Sequence, residues 1–118
     1  MYGNVRMNLI TQTISPAKTS PVIELDENEA AQLAEFFGTL SDASRVRIIA
    51  ALTGGEMNVS TLAATVGISE SAISHHMRHL RQMRLVRTRK DGRFVYYALD
   101  DEHVASLFRA GLDHVQHG

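Results

Sequence analysis

The spacing of apolar residues changes in the last third of this sequence, and this change limits the fold more than any other feature. Before it, apolar residues recur every three or four positions, as on the buried face of a helix; after it they alternate, as in a strand. Two runs rich in β-branched and aromatic residues, 85–89 and 94–99, flank the pair Asp91-Gly92, which predicts a type I′ hairpin. The expected fold class is mainly α with a small β-hairpin.

Two helices are predicted in the first half of the chain. The first begins at a capping box made by Asp26 and Glu29, and the second is capped by Ser41 or Asp42 and stopped by the Gly-Gly pair that follows it. Both carry an apolar stripe that we expect to face the core. Its residues are Leu33, Phe36, Phe37 and Leu40 in the first helix and Val46, Ile49, Ala50 and Leu52 in the second.

A helix-turn-helix pattern follows. A short helix over about residues 60–66 ends at Gly67, and Ser69 caps a longer helix that runs to about residue 83. The expected buried residues of the pair are Leu62, Ala63, Val66, Ile73, Met77 and Leu80. Because a basic hairpin comes next, the pattern predicts a winged helix-turn-helix, whose second helix enters the major groove of DNA.

The outward-facing polar residues of that second helix and the basic residues of the hairpin are the candidate DNA contacts. Short hydroxyls and a helix N-terminus suit phosphate, whereas Arg78 can bind guanine or the backbone. His79 is a further candidate at the edge of the same face. The predicted DNA-binding set is Ser69, Ser71, Ser74, His75, Arg78, Arg87, Arg89, Lys90 and Arg93.

The net charge of −1 conceals a segregation of charge that favours a nucleic-acid partner. Residues 69–97 contain seven basic and two acidic residues, a net +5, whereas residues 24–42 contain six acidic residues and no basic one. A basic block between acidic flanks is the electrostatic pattern expected of a protein that binds a polyanion. Together with the helix-turn-helix pattern, this makes double-stranded DNA the expected partner.

The 118 residues suffice for one small domain, expected at residues 25–118 after a flexible N-terminal arm, residues 1–24, which shows no apolar period. No apolar run approaches the roughly 20 residues of a membrane span, and the N-terminus does not resemble a signal peptide. We therefore expect a cytoplasmic protein without membrane contact. The absence of cysteine excludes disulfides and thiolate ligands.

Four potential metal ligands lie in the last eighteen residues: Asp101, His103, His114 and His117. The last helix is predicted to begin at Asp100 or Asp101, so residues 103 and 114 share a face but lie about 16 Å apart along its axis. One ion cannot span that distance, whereas a second, antiparallel copy of the helix would bring the two pairs together. The spacing predicts a symmetric homodimer with two equivalent inter-chain sites. Imidazole and carboxylate suit zinc in a closed, non-catalytic site.

An apolar stripe on the same helix agrees with a dimer. A domain this small has little core with which to cover the stripe, so we expect a second chain to bury it. Gly111 would permit close approach of the two helices. The stripe consists of Val104, Leu107, Phe108, Gly111, Leu112 and Val115.

The sequence resembles the ArsR/SmtB family of bacterial metal-sensing repressors, in particular its zinc-sensing branch, over about residues 22–117. The matching stretches are 33–37 (LAEFF), 40–47 (LSDASRVR), 68–81 (ISESAISHHMRHLR) and 92–97 (GRFVYY), together with Asp101-x-His103 and His114-x-x-His117. The resemblance implies a dimer that binds its operator without metal and releases it when metal binds. It also implies that a ligand histidine hydrogen-bonds a carbonyl near Arg84 at the end of the recognition helix.

Two departures from the family pattern are informative. Family members with a thiolate site carry cysteine where this chain has Asn58 and in the N-terminal arm, so that second site is expected to be absent. Soft ions that require thiolate are poor candidates, which leaves zinc, with cobalt or nickel as alternatives. Position 76, where the family commonly has glutamine, is His76, so operator sequences of relatives do not transfer directly.

Alternative functions remain open at this point. A winged-helix regulator with a purely structural metal and a zinc-buffering protein are both compatible with these residues. A zinc hydrolase is disfavoured because the four ligands leave no open coordination position, and no enzyme is expected. His75 and His79 have the i, i+4 spacing of a helix metal site, but contact with solvent or DNA is the simpler interpretation.

Overall fold

The structure is a computed structural model that describes residues 20–118. Five helices and three strands follow one another in it: α1 Glu27–Thr39, α2 Ala43–Leu52, β1 Met57–Asn58, α3 Val59–Val66, α4 Glu70–Gln82, β2 Val86–Asp91, β3 Phe94–Leu99 and α5 Glu102–His117. The predicted fold class is confirmed. Most of the predicted N-terminal arm, residues 1–24, lies outside the described residues. None of the helices in residues 20–118 is both long and apolar enough to cross a membrane.

Helix α1 begins at the predicted capping box. The Glu29 N–H donates to the Asp26 carboxylate over 2.7 Å, and the Asp26 N–H donates to the Glu29 carboxylate over 3.2 Å. The prediction that its whole apolar stripe faces the core is wrong, because Leu33 and Phe37 are 44% and 51% exposed. The spacing correctly indicates an apolar face, but residues 20–118 cover only part of it, at Phe36 and Leu40.

Helix α2 is capped by Asp42, whose carboxylate accepts the Arg45 N–H over 3.1 Å. Its buried residues are Ile48, Ile49 and Leu52. The expected inward positions of Val46 and Ala50 are wrong, since both are exposed. The inward face is rotated toward Ile48 because α3 and α4 pack on that side of the helix.

The helix-turn-helix forms as predicted. Gly67 ends α3 in the left-handed conformation, with φ 83°, and Ser69 caps α4 by accepting the Ala72 N–H over 3.0 Å. The six residues expected to be buried in these two helices are buried. The cap of α3 was not predicted: Asn58 accepts the Thr61 N–H over 2.8 Å.

Strands β2 and β3 form an antiparallel hairpin, and the short strand β1 pairs with the other edge of β3. The turn differs from the prediction. Asp91 pairs with Phe94, so the two loop residues are Gly92 and Arg93, and only Gly92 has a positive φ, of 62°. A type I′ turn would need positive φ at both central residues, whereas a glycine at the first position alone is the type II′ pattern.

The core lies between α2, α3, α4 and the hairpin, and α5 packs against it through Val104, Ala105 and Phe108. Asp101 caps α5, as one of the two predicted alternatives, by accepting the N–H groups of His103 and Val104. The described part of the chain leaves Leu107, Leu112 and Val115 exposed, and Val115 is 79% exposed. The helix therefore projects an apolar face beyond the core.

Candidate DNA-binding surface and metal-binding residues

The polar side of α4 is open to solvent. Ile73, Met77 and Leu80 hold the opposite side of the helix in the core, which fixes the orientation of the outer face. Residues on that face can reach a major groove without a change in the fold. The predicted contacts on it are all exposed: Ser69, Ser71, Ser74, His75 and Arg78.

Three histidines lie together on α4. The His75 ring stacks edge to face with those of His76 and His79, with centroids 5.7 and 5.1 Å apart. Partial burial, followed by the nearby charges of Arg45 and His75, lowers the pKa of His79, which favours its neutral form. Within residues 20–118 no group of three or more His, Asp or Glu side chains could hold a metal ion.

Basic side chains of the wing, the hairpin β2–β3, differ in their surroundings. Lys90 and Arg93 are exposed near the turn, and the Arg93 guanidinium lies 5.6 Å from the centre of the Phe94 ring. Arg87 is exposed but donates to the Asp100 carbonyl over 2.7 Å. Lys90 and Arg93 have no salt-bridge partner in the described part of the chain, so their charges are available to a polyanion.

Arg89 has a local partner that the sequence did not indicate. Its guanidinium donates twice to the Glu56 carboxylate, over 2.6 and 3.1 Å, and lies 4.6 Å from the centre of the Tyr96 ring. The hydrogen bonds lower the pKa of Glu56 and raise that of Arg89, so both groups stay charged near neutral pH. The predicted contact of Arg89 with DNA stays a prediction, and it would require competition with Glu56.

The predicted metal ligands occupy the two ends of α5. At its N-terminus, Nδ1 of His103 lies 3.3 Å from the Asp101 carboxylate, and the His103 side chain is 96% exposed. The hydrogen bond from His103 is the main cause of a lowered pKa of Asp101. One Asp101 oxygen caps the helix while the other faces His103. A carboxylate and an imidazole are thus already adjacent.

At the other end of α5, Nδ1 of His117 lies 3.0 Å from the Asp113 carboxylate. This contact leaves Nε2 of His117 free to bind an ion, with Asp113 orienting the ring from behind. His114 lies one turn earlier and is exposed. Within one chain the two pairs remain separated by the length of the helix, about 16 Å for eleven residues.

An apolar groove lies beside these residues, between α2 and α5, with a volume of about 370 Å³. A Cβ added at Gly111 would meet no atom within 4 Å, so this part of the helix is open. Exposed apolar surface of this kind marks an interaction site. The groove is lined by Leu40, Val46, Ile49, Val104, Leu107, Phe108, Gly111, Leu112 and Val115.

These elements define the class of protein. A glycine turn between α3 and α4, an exposed polar face on α4 and a basic hairpin after it make a winged helix-turn-helix DNA-binding protein.

Comparison with known proteins identifies the family. Residues 42–88 match the family described as bacterial regulatory protein, arsR family. The SmtB homolog of Synechocystis, a transcriptional repressor, is 50% identical over 95 residues, which are 80% of this chain and 70% of that protein. The regulator KmtR of Mycobacterium tuberculosis is 38% identical over 79% of this chain and 72% of its own length. A cadmium resistance regulator of Staphylococcus aureus, a CadC homolog, is 37% identical over 77% of this chain and 76% of its own.

Solved structures agree. NolR from Sinorhizobium fredii superposes with a TM-score of 0.70 at 33% identity, over 82% of this chain and 96% of its own. A homodimeric winged helix-turn-helix domain from Mycobacterium bovis superposes with a TM-score of 0.70 at 26% sequence identity, over 80% of this chain and 91% of its own. The antimony-specific repressor AntR superposes with a TM-score of 0.74 at 26% identity, over 88% of this chain and 94% of its own. The chain belongs to the ArsR/SmtB family of metal-responsive transcriptional repressors, and it is a DNA-binding regulator, not an enzyme.

Proposed function

We propose that this protein represses transcription as a metal-free homodimer bound to operator DNA and leaves the operator when a divalent ion, zinc in the first place, binds between its subunits. The ion would be held by Asp101 and His103 of one subunit and by His114 and His117 of the other. The predicted DNA contacts on α4 and the wing would bind half-sites about one helical turn apart. We place this activity in the cytoplasm, with residues 1–24 as an arm preceding the DNA-binding domain.

The observation that carries this proposal is the arrangement of α5. Its N-terminal end presents Asp101 and His103 in contact, its C-terminal end exposes His114 and His117 one turn apart, and the apolar groove runs along the helix between the two ends. A second copy lying antiparallel on this groove would cover the apolar surface and complete both sites at once. The homodimeric state of one structural neighbour supports such an assembly.

The ligand chemistry supports zinc, cobalt or nickel. Relatives are named for cadmium resistance and for antimony, but this chain contains no cysteine. Three imidazoles and a carboxylate form a closed set for an ion of intermediate softness. When bound, such an ion supplies a rigid link between two α5 helices.

A short path connects the ligands to the wing. Asp101 follows Asp100 directly, and the Asp100 carbonyl accepts a hydrogen bond from Arg87 of β2 over 2.7 Å. The Asp100 N–H also donates to the Leu85 carbonyl over 3.0 Å. These two hydrogen bonds would carry a shift of Asp101 to the first residues of the wing. The family resemblance implies that a ligand histidine hydrogen-bonds a carbonyl near Arg84. Arg84 directly precedes Leu85 and has a positive φ of 56°.

The test is fluorescence anisotropy with DNA from the protein's own upstream region, with and without zinc, for wild type and for His114→Ala. Zinc should weaken wild-type binding by a coupling of about 1 to 3 kcal/mol, and reciprocally DNA should weaken zinc binding. His114→Ala should bind DNA as the wild type does without metal, and it should respond little to zinc. Wild-type affinity that does not respond to metal would refute the proposal.

The same titration separates the nearest alternatives. A purely structural metal predicts that chelation unfolds the dimer and abolishes DNA binding, whereas a sensor binds DNA more tightly after chelation. A zinc-buffering protein binds no DNA even at low salt. Cobalt substitution tests the ligand set, because tetrahedral cobalt absorbs visible light far more strongly than octahedral cobalt.

A further inference from the structure

A hydrogen bond between two side chains joins α2 to the recognition helix α4. The Nε–H of Arg45 donates to Nδ1 of His76 over 3.2 Å, and the bond is partly buried. The same guanidinium donates to the Thr39 carbonyl over 3.4 Å, and the Arg45 N–H is held by Asp42. Arg45 is thus held at its backbone and at its side chain, so it presents its Nε–H in a defined direction.

The direction of this bond determines where His76 carries its proton. A guanidinium stays protonated in proteins and has no acceptor, so Nδ1 of His76 must accept through its lone pair. In a neutral imidazole the other nitrogen then carries the hydrogen. Arg45 therefore selects the Nε2–H tautomer of His76.

This Nε2–H is available for a further contact. It has no hydrogen-bond partner within residues 20–118, and no side-chain nitrogen or oxygen there is buried without a partner, so Nε2 reaches solvent. His76 follows His75 in α4, about 100° around the helix axis and on the side that faces Arg45 of α2, so it lies at the edge of the helix face proposed to meet DNA. DNA offers hydrogen-bond acceptors to such a donor. Purine N7 and base carbonyl oxygens line the major groove, and phosphate oxygens lie along its edges.

We propose that Arg45 is a positioning residue that makes His76 a neutral N–H donor to an acceptor on the operator, either a base edge or a phosphate oxygen. The proposal rests on the proposed DNA-binding function and adds a contact to it. It also explains why histidine can replace, at position 76, the glutamine that is common in the family. Glutamine can accept from Arg45 through its carbonyl and donate through its amide, so the two side chains can play the same part.

The surroundings of His76 define what removal of Arg45 should do. The charged and titratable groups around it are Asp42 and Arg45 on α2 and His75 and His79 on α4. Within residues 20–118, only Arg45 forms a hydrogen bond with the His76 ring. Without Arg45, no hydrogen bond in that part of the chain selects one ring nitrogen, so both neutral tautomers should be populated.

Nitrogen-15 NMR of the imidazole rings tests the positioning step. In wild type, His76 should show the Nε2–H tautomer at neutral pH. Arg45→Met should give a mixture of the two neutral tautomers. Arg47→Met is the matched control, because Arg47 lies on the same helix but donates to the Val66 carbonyl, and it should leave His76 unchanged. A wild-type Nδ1–H tautomer, or one unaffected by Arg45→Met, would overturn the positioning role.

DNA binding tests the donor step. Addition of operator should shift the His76 Nε2–H resonance in wild type. His76→Phe should weaken operator binding about tenfold, and His76→Gln by less than about threefold, since glutamine restores a donor. A loss confined to the operator indicates a base edge, and an equal loss on a scrambled duplex indicates a phosphate.

The outcomes distinguish this inference from the function on which it rests. A wild-type protein that binds no operator would overturn the proposed function and the donor role with it. Operator binding with an unchanged His76 resonance, or a His76→Phe variant that folds and binds as wild type does, would overturn the donor role alone.

Discussion

At the scale of single residues, the wing is restrained by an ion pair between Glu56 and Arg89. We expect Glu56→Gln to strengthen DNA binding, because it releases the Arg89 guanidinium and removes a negative charge beside the wing. If each subunit then engages one more phosphate, the slope of log K against log salt becomes steeper by about 0.9 per subunit. Anisotropy titrations of the metal-free protein over a range of salt concentrations measure both effects.

Asp91→Asn is the matched control for this prediction. It removes the same charge from beside the same guanidinium, but the Asp91 carboxylate lies 3.6 Å from Arg89, against 2.6 Å for that of Glu56. An effect of net charge alone would appear equally in both variants, whereas release of Arg89 should appear mainly in Glu56→Gln. Weaker binding by Glu56→Gln would show instead that the pair holds the wing in its DNA-binding orientation.

At the scale of elements, what could be predicted depended on how far apart the interacting residues lie. The caps at Asp26 and Ser69 and the turn at Gly67 are local, and all were predicted. The Arg45–His76 and Glu56–Arg89 contacts join residues 31 and 33 positions apart. The spacing of apolar residues along the sequence does not predict contacts between residues so far apart. Strand β1 is only two residues long and exists through its pairing with β3, so it too left no local signal.

The wing turn provides a prediction at this scale. Gly92 has a φ of 62°, and a Cβ there would meet no atom within 4 Å, so only backbone strain should oppose a side chain. Gly92→Ala should therefore lower the free energy of unfolding by about 1 to 2 kcal/mol. Urea denaturation at fixed protein concentration measures this loss, and DNA affinity should fall with it if the wing contacts DNA.

Gly38→Ala provides the comparison for the wing variant. Gly38 also has open space around it, but it lies in helix α1. Alanine there should leave the free energy of unfolding unchanged or raise it by up to about 1 kcal/mol. Equal losses in the two variants would mean that the conformation of Gly92 is not the cause.

At the scale of the whole molecule, the sequence predicts apolar faces better than it predicts what covers them. Leu33, Phe37 and Val46 have the spacing of buried residues, yet all three are exposed in the single chain. Helical periodicity reports that a face is apolar, but the covering element can belong to the same chain or to another. The same reasoning applied to α5 predicted a stripe for a partner chain; Val104 and Phe108 pack against the core instead, and Leu107, Leu112 and Val115 remain exposed.

The last prediction concerns this stripe. Val115→Glu should be tolerated by the folded single chain, because Val115 is already largely exposed, but it should prevent dimerisation by placing a charge in the apolar groove. Light scattering after size-exclusion chromatography should then show a monomer, and operator affinity should fall because only one half-site is bound per molecule. Gln116→Glu adds the same charge one residue away, outside the groove lining, and should remain a dimer. If Val115→Glu stays dimeric, the subunits meet through another surface, and the shared metal site between two α5 helices loses its basis.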